Sequence, residues 1–387
     1  MRIPIAKVEL TAEDEEAVLA TLRSGWLVQG PQVAEFERLF REYSGAEYAL
    51  ATTSCTTALH LALVASQVGA GDEVIVPAFT WVATANVVEM QGARPVFVDI
   101  DLATYNIDVT QVKAALTSRT RAIIAVSLFG LSADLEPLRQ LADERGLMLI
   151  EDAACALGSR YRGHHAGTLA DFGCFSFHPR KSLTTGEGGM LTSARADWDT
   201  LARSLRDHGA SQSDLARHVG SRPYILPDFR VVGYNYRMTD MQAALGVSQL
   251  QRFEKTLSQR QRLAQTYCEA LQGLDWLALP HCPKDCVHAY QAFVCLFRPE
   301  APCLHNLVDL HGRRNALMER LENHGVSTRP GTHALHLLDV YRTRYALRPE
   351  DFPRAWMADH LSLALPLYWR MTGQEQAFVT SALQELA

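Results

Sequence analysis

The sequence lacks any run of about 18 consecutive apolar residues, so no segment is built to cross a bilayer as a helix. It also lacks an excess of base. Lys and Arg number 37 against 43 Asp and Glu, a formal charge of −6. A mildly acidic chain without a basic run is a poor binder of nucleic acid or of an anionic membrane. There is no internal repeat and no low-complexity linker. The opening Met1–Glu9 has no long apolar core and runs into an acidic helical pattern, unlike a secretory leader, so the expected location is the cytoplasm. Cysteine is present but not organised as a disulfide framework: eight residues are scattered through 387. Cys55, Cys155 and Cys174 lie among small or apolar neighbours and read as buried thiols. One concentration, His281, Cys282, Cys286 and His288, has soft ligands, but structural zinc sites draw on two separated pairs. It reads as a loop, and no metal ligands are assigned.

What is present is an ordinary globular composition, 48% hydrophobic and 21% charged. At roughly 150 residues per domain the length suits two or three domains, with a core that needs no staple. Thr11 and Asp14 approximate a capping box before an apolar stripe of Ala17, Val18 and Leu22, and Gly25 ends that helix. Pro31 opens a second helix whose buried face is Phe36, Leu39, Phe40 and Tyr43, closed by Gly45. From residue 46 to about 192, short β-branched runs alternate with helical ones. Strands are expected at Glu73–Val76, Pro95–Ile100, Ala122–Ser127, Leu147–Ile150, Phe172–Phe177 and Gly189–Thr192. Helices are expected at Cys55–Ser66, Val82–Gln91, Val109–Leu116 and Asp134–Arg145. That alternation predicts an α/β fold around a mainly parallel sheet covered on both faces. Further on, helices are expected at Ala196–Asp207, over Thr239–Glu269 as one long helix or two in tandem, at Arg313–His324 and at Gly373–Leu386, with a strand at Ala292–Phe297. The organisation read from this is an N-terminal segment (1–30), a large α/β domain (31–250) and a smaller α+β domain (251–387).

The chemistry concentrates at strand ends. Phe172–Phe177 delivers Lys181 onto a glycine-rich turn, where desolvation would lower the pKa of the amine and make it a nucleophile. Ser176, five residues earlier, could donate to a phosphate. Asp152 falls just past a buried strand, where open α/β sheets place ligands. Ser54, Cys55 and Thr56 join a strand to an apolar helix, whose free N–H groups would cradle an anion. Trp81 follows another strand and offers a flat face. Alone, each has a plainer explanation: a helix cap for Asp152 or for Ser54–Thr57, a core ring for Trp81, a solvated loop residue for Lys181. Together, in this order, they match what pyridoxal phosphate (PLP) requires: an amine to bond, a carboxylate for the pyridine nitrogen, a phosphate cradle and a stacking ring.

Longer stretches carry a resemblance. Ser24-Gly25-Trp26, Gly30-Pro31 and Phe36-Glu37, then Pro77, Thr80-Trp81 and Ala83-Thr84, are similar to segments of the DegT-like sugar aminotransferases. So are Glu151-Asp152-Ala153-Ala154, the run from Phe175-Ser176-Phe177-His178-Pro179 through Lys181 to Gly186-Glu187-Gly188-Gly189, and Gly233 to Ala244 with Asn235 and Arg237. The resemblance implies a fold-type I PLP enzyme that moves an amino group from an amino acid, L-glutamate, to the ketone of a nucleotide-linked sugar. The alternative within the family is an aminocyclitol or other keto-polyol acceptor. It implies Lys181 as the Schiff-base lysine and proton shuttle, Asp152 at the pyridinium, Ser176 and Ser54–Thr56 at the phosphate, and Trp81 on the ring. It further implies a homodimer with shared active sites, in which Asn235 closes the neighbouring subunit's phosphate side. The turn-rich segment containing Arg329 and His333 is a candidate substrate contact, through an arginine fork suited to carboxylate or diphosphate. Three positions depart from the family's habit: Cys55 replaces glycine, Cys155 replaces Gln or His, and Ser127 replaces His.

Overall fold

The computed structural model describes residues 1–212, 215, 224 and 226–386. Helix α1 (Ala12–Ser24) starts at Thr11, whose N–H donates to Asp14 Oδ2 at 2.9 Å, and stops at Gly25 with a left-handed φ of 76°. Helix α2 (Pro31–Ser44) buries Phe36 and Phe40 completely against Phe175 and Phe177, with ring centroids 4.9 to 6.0 Å apart between the two pairs. Burial of each such ring contributes roughly 2–3 kcal/mol relative to exposure, which fixes this helix to the sheet.

The chain then alternates as expected: β1 (Tyr48–Thr52), α3 (Cys55–Ala65), β2 (Glu73–Pro77), β3 (Phe79–Thr80), α4 (Ala83–Met90), β4 (Arg94–Val98), α5 (Val109–Ala115), β5 (Thr120–Val126), α6 (Leu135–Arg145) and β6 (Met148–Asp152). Two short strands, β7 (Arg160–Tyr161) and β8 (His164–His165), precede β9 (Phe172–Ser176), β10 (Gly189–Ser193) and α7 (Ala196–Arg206). The central sheet has seven strands in the order β1-β10-β9-β6-β5-β2-β4. Only β10 runs against its neighbours. The carboxyl ends of the other six therefore share one edge, and the amino end of β10, Gly189, joins them there. β6 lies mid-sheet, so Asp152 stands in the middle of that edge.

Beyond α7 the long helical stretch is two helices, Asp240–Gln251 and Phe253–Leu271. The break at Arg252 turns its guanidinium onto the buried Asp14 of α1. A three-stranded sheet, Leu277–Ala278, Phe293–Phe297 and Ser362–Leu365, follows. The helix expected from Arg313 starts earlier, at Leu307, because Leu307 and Leu310 are fully buried and extend the apolar stripe toward its start. Not anticipated was the small ladder between β3 and His333–Ala334, with His333 opposite Thr80. It ties the C-terminal part of the chain to the strand edge that carries Trp81.

Candidate active site

Asp152 is 5% exposed. Its Oδ2 accepts from Thr84 Oγ1 at 2.9 Å, and its Oδ1 accepts from the Ala154 N–H at 3.1 Å. Burial pushes this carboxyl above its usual range, and the Thr84 hydroxyl, the Ala154 amide and the Lys181 charge only partly offset that. A buried carboxylate in this condition is short of a cation. A protonated pyridine nitrogen would satisfy it.

Lys181 reaches the same edge from a closed loop. The Phe177 N–H donates to Gly188 O at 2.9 Å and the Thr185 N–H to Phe177 O at 3.0 Å, which seals the loop base. Gln249, on the helix Asp240–Gln251, grips Thr184 twice, accepting its N–H at 3.0 Å and donating to its carbonyl at 2.7 Å. The Lys181 amine donates to Cys155 Sγ at 3.0 Å. The expected fall in its pKa is corrected here. Burial alone does act downward, but the sulfurs of Cys155 and Cys55 and the carboxylate of Asp152 outweigh it, and the pKa stands above the ordinary value. The sequence showed the burial and not the three electronegative groups around the amine.

The anion cradle forms where β1 enters α3. Ser54 caps α3, its Oγ accepting the Thr57 N–H at 3.2 Å while the Thr57 hydroxyl faces the Ser54 N–H at 3.1 Å. Gly189 is opposite Thr52 on one side and Ser176 on the other. A Cβ on Gly189 would fall 2.4 Å from the Ser54 carbonyl carbon, so glycine is what lets the turn and Ser176 close around one space. Cys55 is buried, as expected of its thiol. Its backbone is helical and its thiol lies 3.4 Å from Cys174 O and 3.9 Å from Asp152 Oδ1, which leaves its backbone N–H at the start of α3; Thr56 is the next residue of the same helical turn.

Trp81 is 60% exposed, with its ring 5.6 Å from that of His333. Arg329 is exposed; it bridges to Ala364 through the backbone, and its guanidinium donates to Thr328 O at 2.7 Å. Asn235 is exposed on a segment whose next carbonyl, that of Tyr236, accepts the Thr53 N–H at 3.1 Å beside the cradle. The structure thus gathers Lys181, Asp152, Ser54, Thr56 and Ser176 at one edge, and brings His333 onto Trp81. Thr84 and Gln249 were missed; Thr84 was legible as a lone hydroxyl in the first turn of an apolar helix. At His281–His288 the histidine at one end turns inward: His288 is buried against Tyr290, rings 3.9 Å apart, and burial pushes it down to about 3. Among the described residues no group of three or more His, Cys, Asp or Glu could hold a metal ion.

Glu151 faces the opposite side of the sheet, completely buried, accepting from the Ser127 hydroxyl and the Gly167 N–H. Desolvation, only partly offset by those bonds, pushes it up to about 7 from 4.5. The folded chain therefore binds more protons than the unfolded one between those values. Stability held below about pH 4.5 is lost as pH rises to about 7, on the order of 3 kcal/mol. Glu151→Gln is expected to match wild type at pH 5 and to melt a few degrees higher at pH 8, as read by calorimetry.

These residues fit PLP: a cation-poor buried carboxylate, an amine on a fixed loop, and a cradle kept open by a missing Cβ. The comparisons agree. The family model for the DegT/DnrJ/EryC1/StrS aminotransferases matches residues 8–384. An uncharacterized protein of Methanocaldococcus jannaschii is 37% identical over 97% of this chain and 95% of its own length. A GDP-perosamine synthase of Caulobacter vibrioides is 35% identical over 100% of this chain and 98% of its own. Among solved structures, the aminotransferase of Psychrobacter cryohalolentis superposes with a TM-score of 0.91 at 30% identity, covering 99% of this chain and 98% of that one. The chain belongs to the DegT/DnrJ/EryC1/StrS aminotransferase family and is a PLP-dependent aminotransferase with the fold-type I α/β architecture.

Proposed function

We propose that the enzyme takes the amino group of L-glutamate and passes it to the ketone of a nucleotide-linked sugar. The observation that carries this reading is the single strand edge holding the Lys181 amine, the Asp152 carboxylate and the amino end of α3. The match to a relative named GDP-perosamine synthase supports a nucleotide-linked acceptor. When bound, PLP supplies an electron sink for a carbanion at the substrate carbon. Asp152 keeps the proton on the pyridine nitrogen, and Thr84 and the Ala154 amide hold that carboxylate in place. Lys181 would hold the cofactor through its amine and would move the proton at the substrate carbon. Ser54, Thr56 and Ser176 bind the phosphate, and Trp81 covers the ring.

The homodimer with shared sites belongs to the same proposal. Leu27, Val28, Phe229 and Val232 are exposed apolar residues flanking the Asn235 segment, as a subunit interface would leave them in a lone chain. The reading is tested by converting the enzyme to its pyridoxamine form with glutamate and screening nucleotide-linked keto-sugars for return of the PLP spectrum. If no such sugar restores it and a free keto-cyclitol does, the acceptor class is wrong. Arg329 separates the two substrates. Should it bind the glutamate carboxylate, Arg329→Ala slows the first half-reaction about tenfold or more; should it bind the diphosphate, only the second slows. Stopped-flow absorbance reads both, and two unchanged half-reactions would return Arg329 to the surface.

A further inference from the structure

The turn after β6 carries more than Asp152. The Ala156 N–H donates to Ala153 O at 2.9 Å, closing a tight turn in which Ala154 binds the Asp152 carboxylate and Cys155 occupies the next corner. The backbone therefore fixes Cys155 relative to Asp152. Its Sγ receives the Lys181 amine at 3.0 Å, the one hydrogen bond drawn from that amine to another described residue. The lysine arrives from a separate loop, which the backbone and Gln249 hold in place, so the N–H···S contact joins the amine itself, rather than the loop, to the Asp152 turn.

We propose that Cys155 is a positioning residue that aims the Lys181 amine, so that one rigid turn sets both ends of the cofactor site. The inference rests on the assignment of Lys181 made above. A lysine side chain has four rotatable bonds, and without a fixed acceptor its amine samples several directions. A thiol at this corner restricts it while staying small enough to leave room beside the ring. Of the groups around Lys181, the Cys155 sulfur also opposes the burial of the ammonium most strongly, ahead of Cys55 and Asp152.

The test compares Cys155→Ala, which removes the acceptor, with Cys155→Ser, which keeps one of a different size. In cofactor-free protein, Lys181 is labelled with an amine-selective reagent across pH and quantified by peptide mapping. Cys155→Ala is expected to move the labelling midpoint down, by about one pH unit, and to label several-fold faster at pH 8. Cys155→Ser should lie between Cys155→Ala and wild type. In PLP-loaded protein, Cys155→Ala should lower kcat several-fold at little-changed KM for glutamate and shift the pH midpoint of the cofactor absorbance. Cys155→Ser should recover part of both. A wild-type labelling midpoint and a wild-type absorbance titration in Cys155→Ala, whatever happens to its Tm, would reduce Cys155 to packing and overturn the proposal alone. Borohydride fixation of the cofactor on another lysine would instead overturn the assignment of Lys181, and the positioning role with it.

Discussion

Lys181→Ala is expected to reduce turnover by roughly four orders of magnitude or more, because the covalent bond to the cofactor and the proton transfer proposed for this amine would be lost together. The chain has five lysines, and Lys7, Lys113, Lys255 and Lys284 are all exposed. Lys181 alone is enclosed, facing Cys155 with Asp152 close enough to pull on its charge. No neighbouring amine can substitute for it. The fold should survive, since the loop is held by its backbone and by Gln249 rather than by the lysine head group. Loss of the yellow absorption in Lys181→Ala, with an unchanged melting curve, is the expected result. A variant that keeps both the colour and glutamate-driven bleaching would show that another residue does the work.

Much of this site was legible in the sequence because strands of a parallel sheet point their carboxyl ends the same way. Once Glu73–Pro77, Thr120–Val126, Met148–Asp152 and Phe172–Ser176 are read as strands, the residues just past them must share an edge. That places Asp152, Ser176 and Lys181 at one edge, and Ser54 joins them from the end of Tyr48–Thr52; it was their conjunction, rather than any one of them, that pointed to a cofactor site. Glycine-ended helices were equally plain: α1 and α2 stop at Gly25 and Gly45, both with left-handed φ. The signal failed where partners come from far along the chain. Thr84 meets Asp152 across 68 residues and Gln249 meets Thr184 across 65, and neither spacing has a periodicity to betray it. The His333–Ala334 pairing with β3 is too short to leave a strand pattern. Cys55 illustrates a subtler limit. It was legible as a buried thiol, but its partners were not: which way a small side chain leaves a helix start depends on what is packed there, and the thiol turns to Cys174 and Asp152.

Asp152→Asn should cost nearly as much as loss of the lysine while leaving the protein intact. A carboxylate and a pyridinium about 3 Å apart, in an effective dielectric near 20, attract by roughly 5 kcal/mol before desolvation is subtracted. If that attraction is what holds the ring protonated, its loss lets the nitrogen shed its proton, and the ring no longer withdraws electrons from the carbanion. At about 1.4 kcal/mol per decade, kcat should fall by roughly a thousandfold, in both half-reactions alike. Binding should suffer less, because the phosphate cradle and Lys181 are untouched. The amide suits its surroundings: its oxygen can still accept the Ala154 N–H, and its NH2 can face the Thr84 hydroxyl, which turns to accept. Burial already disfavours the charged carboxylate, so the neutral variant should melt at or above the wild-type temperature. The two readouts therefore move apart, activity down and Tm level or up. A drop in both would mean that Asp152 mainly holds the turn after β6. Near-normal kcat would remove it from the mechanism and leave the buried carboxylate without a role.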